Sequence, residues 1–444
     1  MARLGRSSTT GWGATVAVSM SNYIEAGSII AIATSLSAFQ DAFGISNLGV
    51  GLLAALSSNA LGGAVGAIVG GVLADRFGRK VIYTYDLLVY MVGVLLAAFA
   101  MDFTMLMLAF VITGLAVGVG IPTSWTYISE EAPTHARARR VGTAQLFWSV
   151  GPMLGYALAA VLSPLGLLGG RIVFLVLFVV AGIAWWIRQG LPESEAWVES
   201  RAAAAAEGVD ASGAGEQPTF ALKALFADRL NYGPLAFLFA VYLLWNIVAG
   251  QAGIFMPRIY EASGLTNETE QFWLQVFLWG MTVAATGLFM AIGDKVNRRV
   301  LFGVGAALGI VGWIVLVYGP VGPVTLVAFA VLWGVSSGLG AQAFYAVWAS
   351  ELFPTSYRAS AQGVLTFATR GLLSPVSLLF PTLLAVTGLH GVGTLLIALL
   401  VGSMVIGLVF APHTQGRSLE EIEAERYGKA RARAGLSPLP EKVA

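Results

Sequence analysis

Two ionisable side chains stand inside apolar runs long enough to cross a bilayer: Glu25, in SNYIEAGSII, and Arg370, in TFATRGLLSP. Charge is costly at that depth, so each marks a site of function. Arg370 follows Arg358 by twelve residues, ~18 Å along a helix, which places it near mid-membrane. A guanidinium stays charged there and presents a planar fork of donors matched to a carboxylate. Something anionic must meet it: a substrate carboxylate, the reading adopted here, or an acid of the protein. Glu25 can load and release a proton as its surroundings change, and is read as the proton-coupling residue. Polar and aromatic residues of other runs join these two as candidate substrate-binding groups: Gln145 and Trp148, then Trp245, Asn246 and Gln251, then Gln342, Phe344 and Tyr345. Amides pair with hydroxyls or carboxylates, and aromatic rings cover a ring face. Asp86, near the start of its run, is read as structural.

The elements that must hold these residues are membrane helices. The chain of 444 residues is 57% hydrophobic and only 11% charged, with a mean hydropathy of +0.78. A soluble chain carries about twice that charge. Taking apolar runs of about 20 residues as spans gives twelve, at 15–39, 47–74, 81–101, 103–127, 141–162, 167–187, 232–260, 270–293, 300–318, 323–348, 359–385 and 392–411. The expected fold is an all-α membrane protein of twelve transmembrane helices in two pseudo-symmetric six-helix halves. An even count puts both termini on one face. Of the 25 lysines and arginines, all but Arg171, Arg258 and Arg370 fall on that face, which the positive-inside rule makes cytoplasmic. The expected division is an N-terminal half at 1–187, a cytoplasmic linker loop at 188–231, a C-terminal half at 232–411 and a cytoplasmic tail at 412–444. Cysteine is absent and the three histidines are scattered, so no metal site or thiol chemistry is expected. A net charge of +1 gives no reason to expect a nucleic-acid partner, and no cofactor is expected.

Loop motifs repeat at a near-constant offset. GVLADRFGRK (Gly71–Lys80) returns 219 residues later as MAIGDKVNRR (Met290–Arg299), and EEAPTHAR (Glu130–Arg137) returns 221 residues later as ELFPTSYR (Glu351–Arg358). Two repeats with one spacing indicate two homologous halves. LPESEAW (Leu191–Trp197) and PHTQGRSLEEIE (Pro412–Glu423) are further marked segments.

Together these segments resemble the major facilitator superfamily, in the broad branch of sugar porters and organic-ion (metabolite:proton) symporters. The first motif matches that family's G-x-x-x-D-R-x-G-R-K signature at every fixed position. The resemblance implies transport by alternating access, with solute bound between the halves. It also implies a charge lattice that gates one face and favours the outward-open state: Gly71, Asp75, Arg76, Gly78, Arg79, Lys80, Glu130 and Arg137, with Asp294, Glu351 and Arg358 as counterparts. It places an acid near Glu25 in proton-coupled members. Three departures separate the chain from hexose porters: LLWNIVAGQAG (Leu243–Gly253) in place of a Gln-Gln pair, GAQAFYAVW (Gly340–Trp348) in place of Pro-x-Pro-Trp, and no base in AFVITGLAVG (Ala109–Gly118) of span four.

The reading at this stage is a secondary active transporter of the inner (plasma) membrane, not an enzyme. It is expected to import a small organic anion, a sugar acid or other carboxylate, by proton symport. The alternative is a neutral sugar or polyol, and a second alternative, proton antiport, rests on Gly151, Pro152 and Gly155. Its partners are the lipid bilayer, a small polar solute and a proton, and a monomer is expected.

Overall fold

The computed structural model describes residues 10–130, 137–191, 193–194, 197–199, 201–202, 219–354 and 357–433. Residues 131–136 and 355–356 of the repeated loop motif, much of the 188–231 loop and the tail beyond 433 lie outside the described residues, as does the side chain of Arg137.

The apolar runs form helices throughout. Spans one to six are Thr10–Phe43, Asn47–Leu56 continued by Leu61–Phe77, Arg79–Ala98, Phe103–Glu130, Arg137–Leu162 and Leu167–Arg188. Spans seven to ten are Tyr232–Ala262, Glu268–Ile292, Arg298–Tyr318, and Pro323–Leu339 continued by Ala341–Glu351. Spans eleven and twelve lie in one helical stretch, Arg358–Phe410, interrupted at Gly388 with φ 66° and ψ −177°. Its 53 residues would reach on the order of 80 Å if straight, more than twice a bilayer core, so the chain must turn. Gly388 supplies that turn in a backbone region that disfavours a side chain.

Two spans are broken inside the membrane. Span two stops at Leu56 and restarts at Leu61, and span ten is interrupted at Gly340. Such breaks are tolerated only where the freed backbone groups find partners within the protein, and the first break does so at the site described below.

Close packing follows the small residues. A Cβ at Gly62, Gly66 or Gly70 would meet the backbone of Gly114, Leu115 or Val119 of span four within about 3 Å, so these glycines bring spans two and four together. Span two also packs on span eleven, and span five on span eight. These are seams between the halves. Arg188, at the end of span six, donates to the Ala17 carbonyl at 3.1 Å and to Ser21 Oγ at 2.6 Å, with Asp86 at 3.9 Å. Asp86, read from the sequence as structural, stands beside this guanidinium. Beyond the spans, a tail helix, Leu419–Arg433, docks through Tyr427, whose hydroxyl donates to Asn231 Oδ1 at 2.6 Å.

Candidate transport site

The charged loops meet at one end of the bundle, here termed the charged face. Asp75 Oδ2 accepts from the backbone N–H of Ser360 at 2.8 Å and from its hydroxyl at 2.7 Å, joining span two to span eleven. Arg79, fully buried, contacts Glu130 at 2.9 Å and Asp75 at 3.3 Å. Glu130 also lies 3.5 Å from Arg358 of the opposite half. The second half repeats the pattern: Arg298 meets Glu351 at 2.8 Å and Asp294 at 3.6 Å. Asp75, Arg79 and Glu130 thus have Asp294, Arg298 and Glu351 as counterparts. Arg298 was missed as a lattice member, although the 219-residue offset maps Arg79 onto it.

The glycines of the motif have separate tasks. A Cβ on Gly71 would stand 2.6 Å from the Ala359 carbonyl oxygen across the seam. Gly78 has φ 92° and leaves room for Glu193, whose carboxylate accepts the N–H groups of Arg79 at 2.8 Å and Lys80 at 3.1 Å. An acid at the start of a helix complements its free N–H groups. Ser194 donates to Glu130 at 2.6 Å. Glu193 and Ser194 are further lattice members that were missed, and the LPESEAW segment was their signal. Arg76 and Lys80 stand at the periphery: Arg76 lies over the Phe77 ring at 4.8 Å, and the Lys80 side chain is exposed.

The opposite face is bonded as well. Arg258 of span seven donates to Gln40 at 2.6 Å and Asn47 at 3.2 Å. Ser37 donates to Glu268 at 2.9 Å, and Ser163 meets Thr269 at 3.0 Å. With both ends bonded across the seam, the arrangement is occluded.

Between the two ends lies a cavity lined by residues of both halves. Six of the candidate substrate-binding residues line it: Gln145, Trp148, Trp245, Asn246, Gln342 and Arg370. Asn59, Tyr242, Gln275, Trp279, Trp333 and Ser337 join them and were missed. Helical spacing carried a signal for four: Gln275 and Trp279, like Trp333 and Ser337, are four apart and share a face. Trp148 and Trp279 face each other across the seam with ring centroids 5.4 Å apart.

Three candidates do not line the cavity. Phe344 is buried among Phe289, Phe302 and Trp348, an apolar cluster that accounts for it. Gln251 is fully buried and donates to Ser377 at 3.0 Å. Tyr345 stacks behind Tyr242, with ring centroids 3.8 Å apart, and so supports the wall from outside.

Arg370 is placed differently from the adopted reading. Its Nη2 donates to Glu25 Oε1 in a short ion pair, and its Nη1 donates to the Ser58 carbonyl at 2.6 Å. A protein acid, not a substrate carboxylate, meets the guanidinium here. Span four has no base to face Glu25, and span eleven supplies one. The remaining polar lining is neutral and rich in donors. Gln145 Nε2, Trp148 Nε1, Trp245 Nε1, Asn246 Nδ2 and Trp279 Nε1 have no hydrogen-bond partner among the described residues. Buried N–H groups are normally satisfied, so these five are suited to oxygen acceptors brought by a ligand.

Residues 12–377 match the family model for the Major Facilitator Superfamily. The chain is 41% identical to the minor myo-inositol transporter IolF of Bacillus subtilis (strain 168) over 418 residues, covering 93% of this chain and 94% of that protein. It is 27% identical to the galactose-proton symporter of Escherichia coli (strain K12), covering 83% and 84% respectively. A solved structure of the proton:xylose symporter XylE bound to 6-bromo-6-deoxy-D-glucose superposes with a TM-score of 0.76 at 20% identity, covering 95% of this chain and 100% of that one.

Proposed function

The chain belongs to the Major Facilitator Superfamily, and within that family we propose that it carries a neutral polyol or sugar across the membrane together with a proton. It is a multi-pass membrane transporter and not an enzyme. The observation that carries the solute reading is the cavity lining: five unpartnered neutral N–H donors, while the cavity's guanidinium is already held by Glu25. Hydroxyl oxygens can accept from those donors, and indole rings cover the C–H faces of a cyclic polyol. A free carboxylate would have to compete with Glu25 for Arg370. The transporters of myo-inositol and of galactose with protons among the relatives support the same choice, so the organic-anion reading gives way to the polyol alternative.

The mechanism follows from the bonds. The charged face is the cytoplasmic one, because it collects the lysines and arginines. Opening there breaks Asp75–Ser360 and Glu130–Arg358; opening at the other face breaks Arg258–Gln40 and Ser37–Glu268. Alternating access proceeds by releasing one set while the other holds. Glu25 is the proton-binding residue and lies at the seam where solute binds.

Four tryptophans line the cavity, so ligand binding should change intrinsic fluorescence. Purified protein titrated with myo-inositol, a hexose and gluconate should saturate with a neutral solute and not with gluconate. Saturation by gluconate alone would restore the carboxylate reading.

A further inference from the structure

Four spans run from the cavity to the charged face, and each carries a polar or aromatic residue part-way down. On span eleven, Gln362 lies between Arg370, which lines the cavity, and Arg358 of the lattice, ~12 Å and ~6 Å away along the helix. On span ten, Tyr345 comes one turn after the cavity residue Gln342. On span one, Asn22 lies one turn from Glu25 toward the charged face, and on span four Trp125 precedes Glu130 of the lattice. Span four meets the second half here: the Trp125 and Tyr345 rings pack edge to face, with centroids 5.9 Å apart. Tyr345 also backs onto Tyr242 of the cavity wall. The two rings therefore form a partition between the cavity and the charged face.

Beside this partition, amide groups are left over. Gln362 is 1% exposed, yet neither its Nε2 nor its Oε1 has a hydrogen-bond partner among the described residues. Asn22 is equally buried; its Oδ1 accepts from Trp125 Nε1 at 2.9 Å, and its Nδ2 has no partner. An unsatisfied buried amide is costly, and a leucine would fill the Gln362 position without that cost. The residues next to Gln362 are held against span two. Ser360 bonds Asp75, and a Cβ on Gly363 would stand 2.6 Å from the Ala67 carbonyl oxygen. When the charged face opens, this stretch leaves span two and the amide is freed.

We propose that Gln362 and Asn22 form a second solute station between the cavity and the charged face, which holds a neutral polyol once the Trp125–Tyr345 contact parts. This rests on the polyol reading of the cavity. The unpartnered groups lining the cavity are N–H donors, whereas Gln362 offers a donor and an acceptor together. A hydroxyl both donates and accepts, so neighbouring hydroxyls of a polyol can use both atoms of one amide. A carboxylate can only accept and would leave Oε1 unmet. The two amides belong to opposite halves, so the station exists only while the charged face is open. Release is then stepwise: the solute exchanges the donors of the cavity for this amide pair before it reaches water.

The test compares myo-inositol binding by the full chain in two states, by calorimetry. The unaltered chain supplies the occluded state. Asp75→Asn and, separately, Gly71→Ala supply opened backgrounds, with opening read by spin-label distances between Lys80→Cys and Val300→Cys on the charged face. Gln362→Leu should weaken binding about fivefold or more in an opened background, the scale of one hydrogen bond. In the unaltered background it should weaken binding less than about twofold, and it should melt no lower. Gln362→Asn, which keeps an amide, should recover part of the loss. An equal loss in both states would mean that Gln362 shapes the cavity, a lower melting temperature that it serves packing, and no loss in either state that its amide meets only water. Any of these overturns the station and leaves the polyol reading standing. Failure of that reading looks different: the chain with Gln362 in place would not bind myo-inositol in either state, and both conclusions would fall.

Discussion

Replacing Gly71 by alanine should open the charged face. The added Cβ would stand 2.6 Å from the Ala359 carbonyl oxygen, 3.1 Å from its carbon and 3.2 Å from Ser360 Cα. All three are backbone atoms of span eleven, so no side chain can rotate away. Gly363 faces the same seam from the other side, 2.6 Å from the Ala67 carbonyl oxygen by the same construction. An extra methyl in such a contact costs about 1–3 kcal/mol. The strain exists only while the face is closed, so the whole cost becomes a difference between states. It should raise the inward-open to occluded ratio by roughly 5- to 150-fold. The neighbouring residue supplies the control. A Cβ on Gly70 would lie 2.5 Å from Val119 Cα, in span four of the same half, so its strain is present in every state. Gly70→Ala should lower thermal stability and leave the ratio alone. Spin-label distances between Lys80→Cys and Val300→Cys read the ratio. An unchanged distribution in Gly71→Ala, or an equal shift in Gly70→Ala, would refute the argument.

Four further outcomes are expected. Asp75→Asn removes the carboxylate that accepts both Ser360 donors, and the same labels should report widening at the charged face; an unmoved distribution would reduce Asp75 to a topology signal. Trp245→Phe keeps a ring but removes one unpartnered donor, so myo-inositol should bind about 2- to 13-fold more weakly, the equivalent of 0.5–1.5 kcal/mol; calorimetry showing no loss would take that N–H out of the site. Phe344→Ala empties part of an aromatic cluster and should cost ~3–5 kcal/mol of stability while solute affinity in the folded protein holds; a large rise in Kd would put Phe344 back at the site. A cysteine at Val321 should react with impermeant reagent in intact cells, whereas one at Arg229 should react only after the membrane is opened; the reverse pattern would invert the bundle.

The spans and the lattice were legible because both follow from single-residue chemistry. Twenty apolar residues in a row have one stable environment, and acids alternating with bases between such runs must lie at a membrane face, where they can pair with one another. The break in span two was not legible. Its residues, Ser57–Ala60, include no proline, glycine or charge, and the helix stops there because span eleven supplies partners for the freed carbonyls. The pairing of Arg370 was hidden for a related reason. The sequence shows that an anion must meet it but not which one, and Glu25 is 345 residues away. The interior aromatics divided by packing. Trp245 reaches the cavity and Phe344 does not, and at the level of residue type the two had equal claim. The repeat offset, by contrast, contained more than was used, since it pointed directly to Arg298.

The two gates differ in how far their grip extends. At the charged face the halves are joined partly by full charges, Glu130 against Arg358, whose attraction falls only as the inverse of distance. At the opposite face the described bonds pair a charge or a hydroxyl with a neutral group, Arg258 with two side-chain amides and Glu268 with a hydroxyl. A charge acting on a dipole loses strength faster with separation. A gate at the charged face would thus be elastic: it would still pull when partly open and could draw itself shut. A gate at the opposite face would be brittle, firm in contact and nearly without force once parted. A carrier built this way would leave its far door open until a solute bridges the cavity, and would close the door at the charged face unaided.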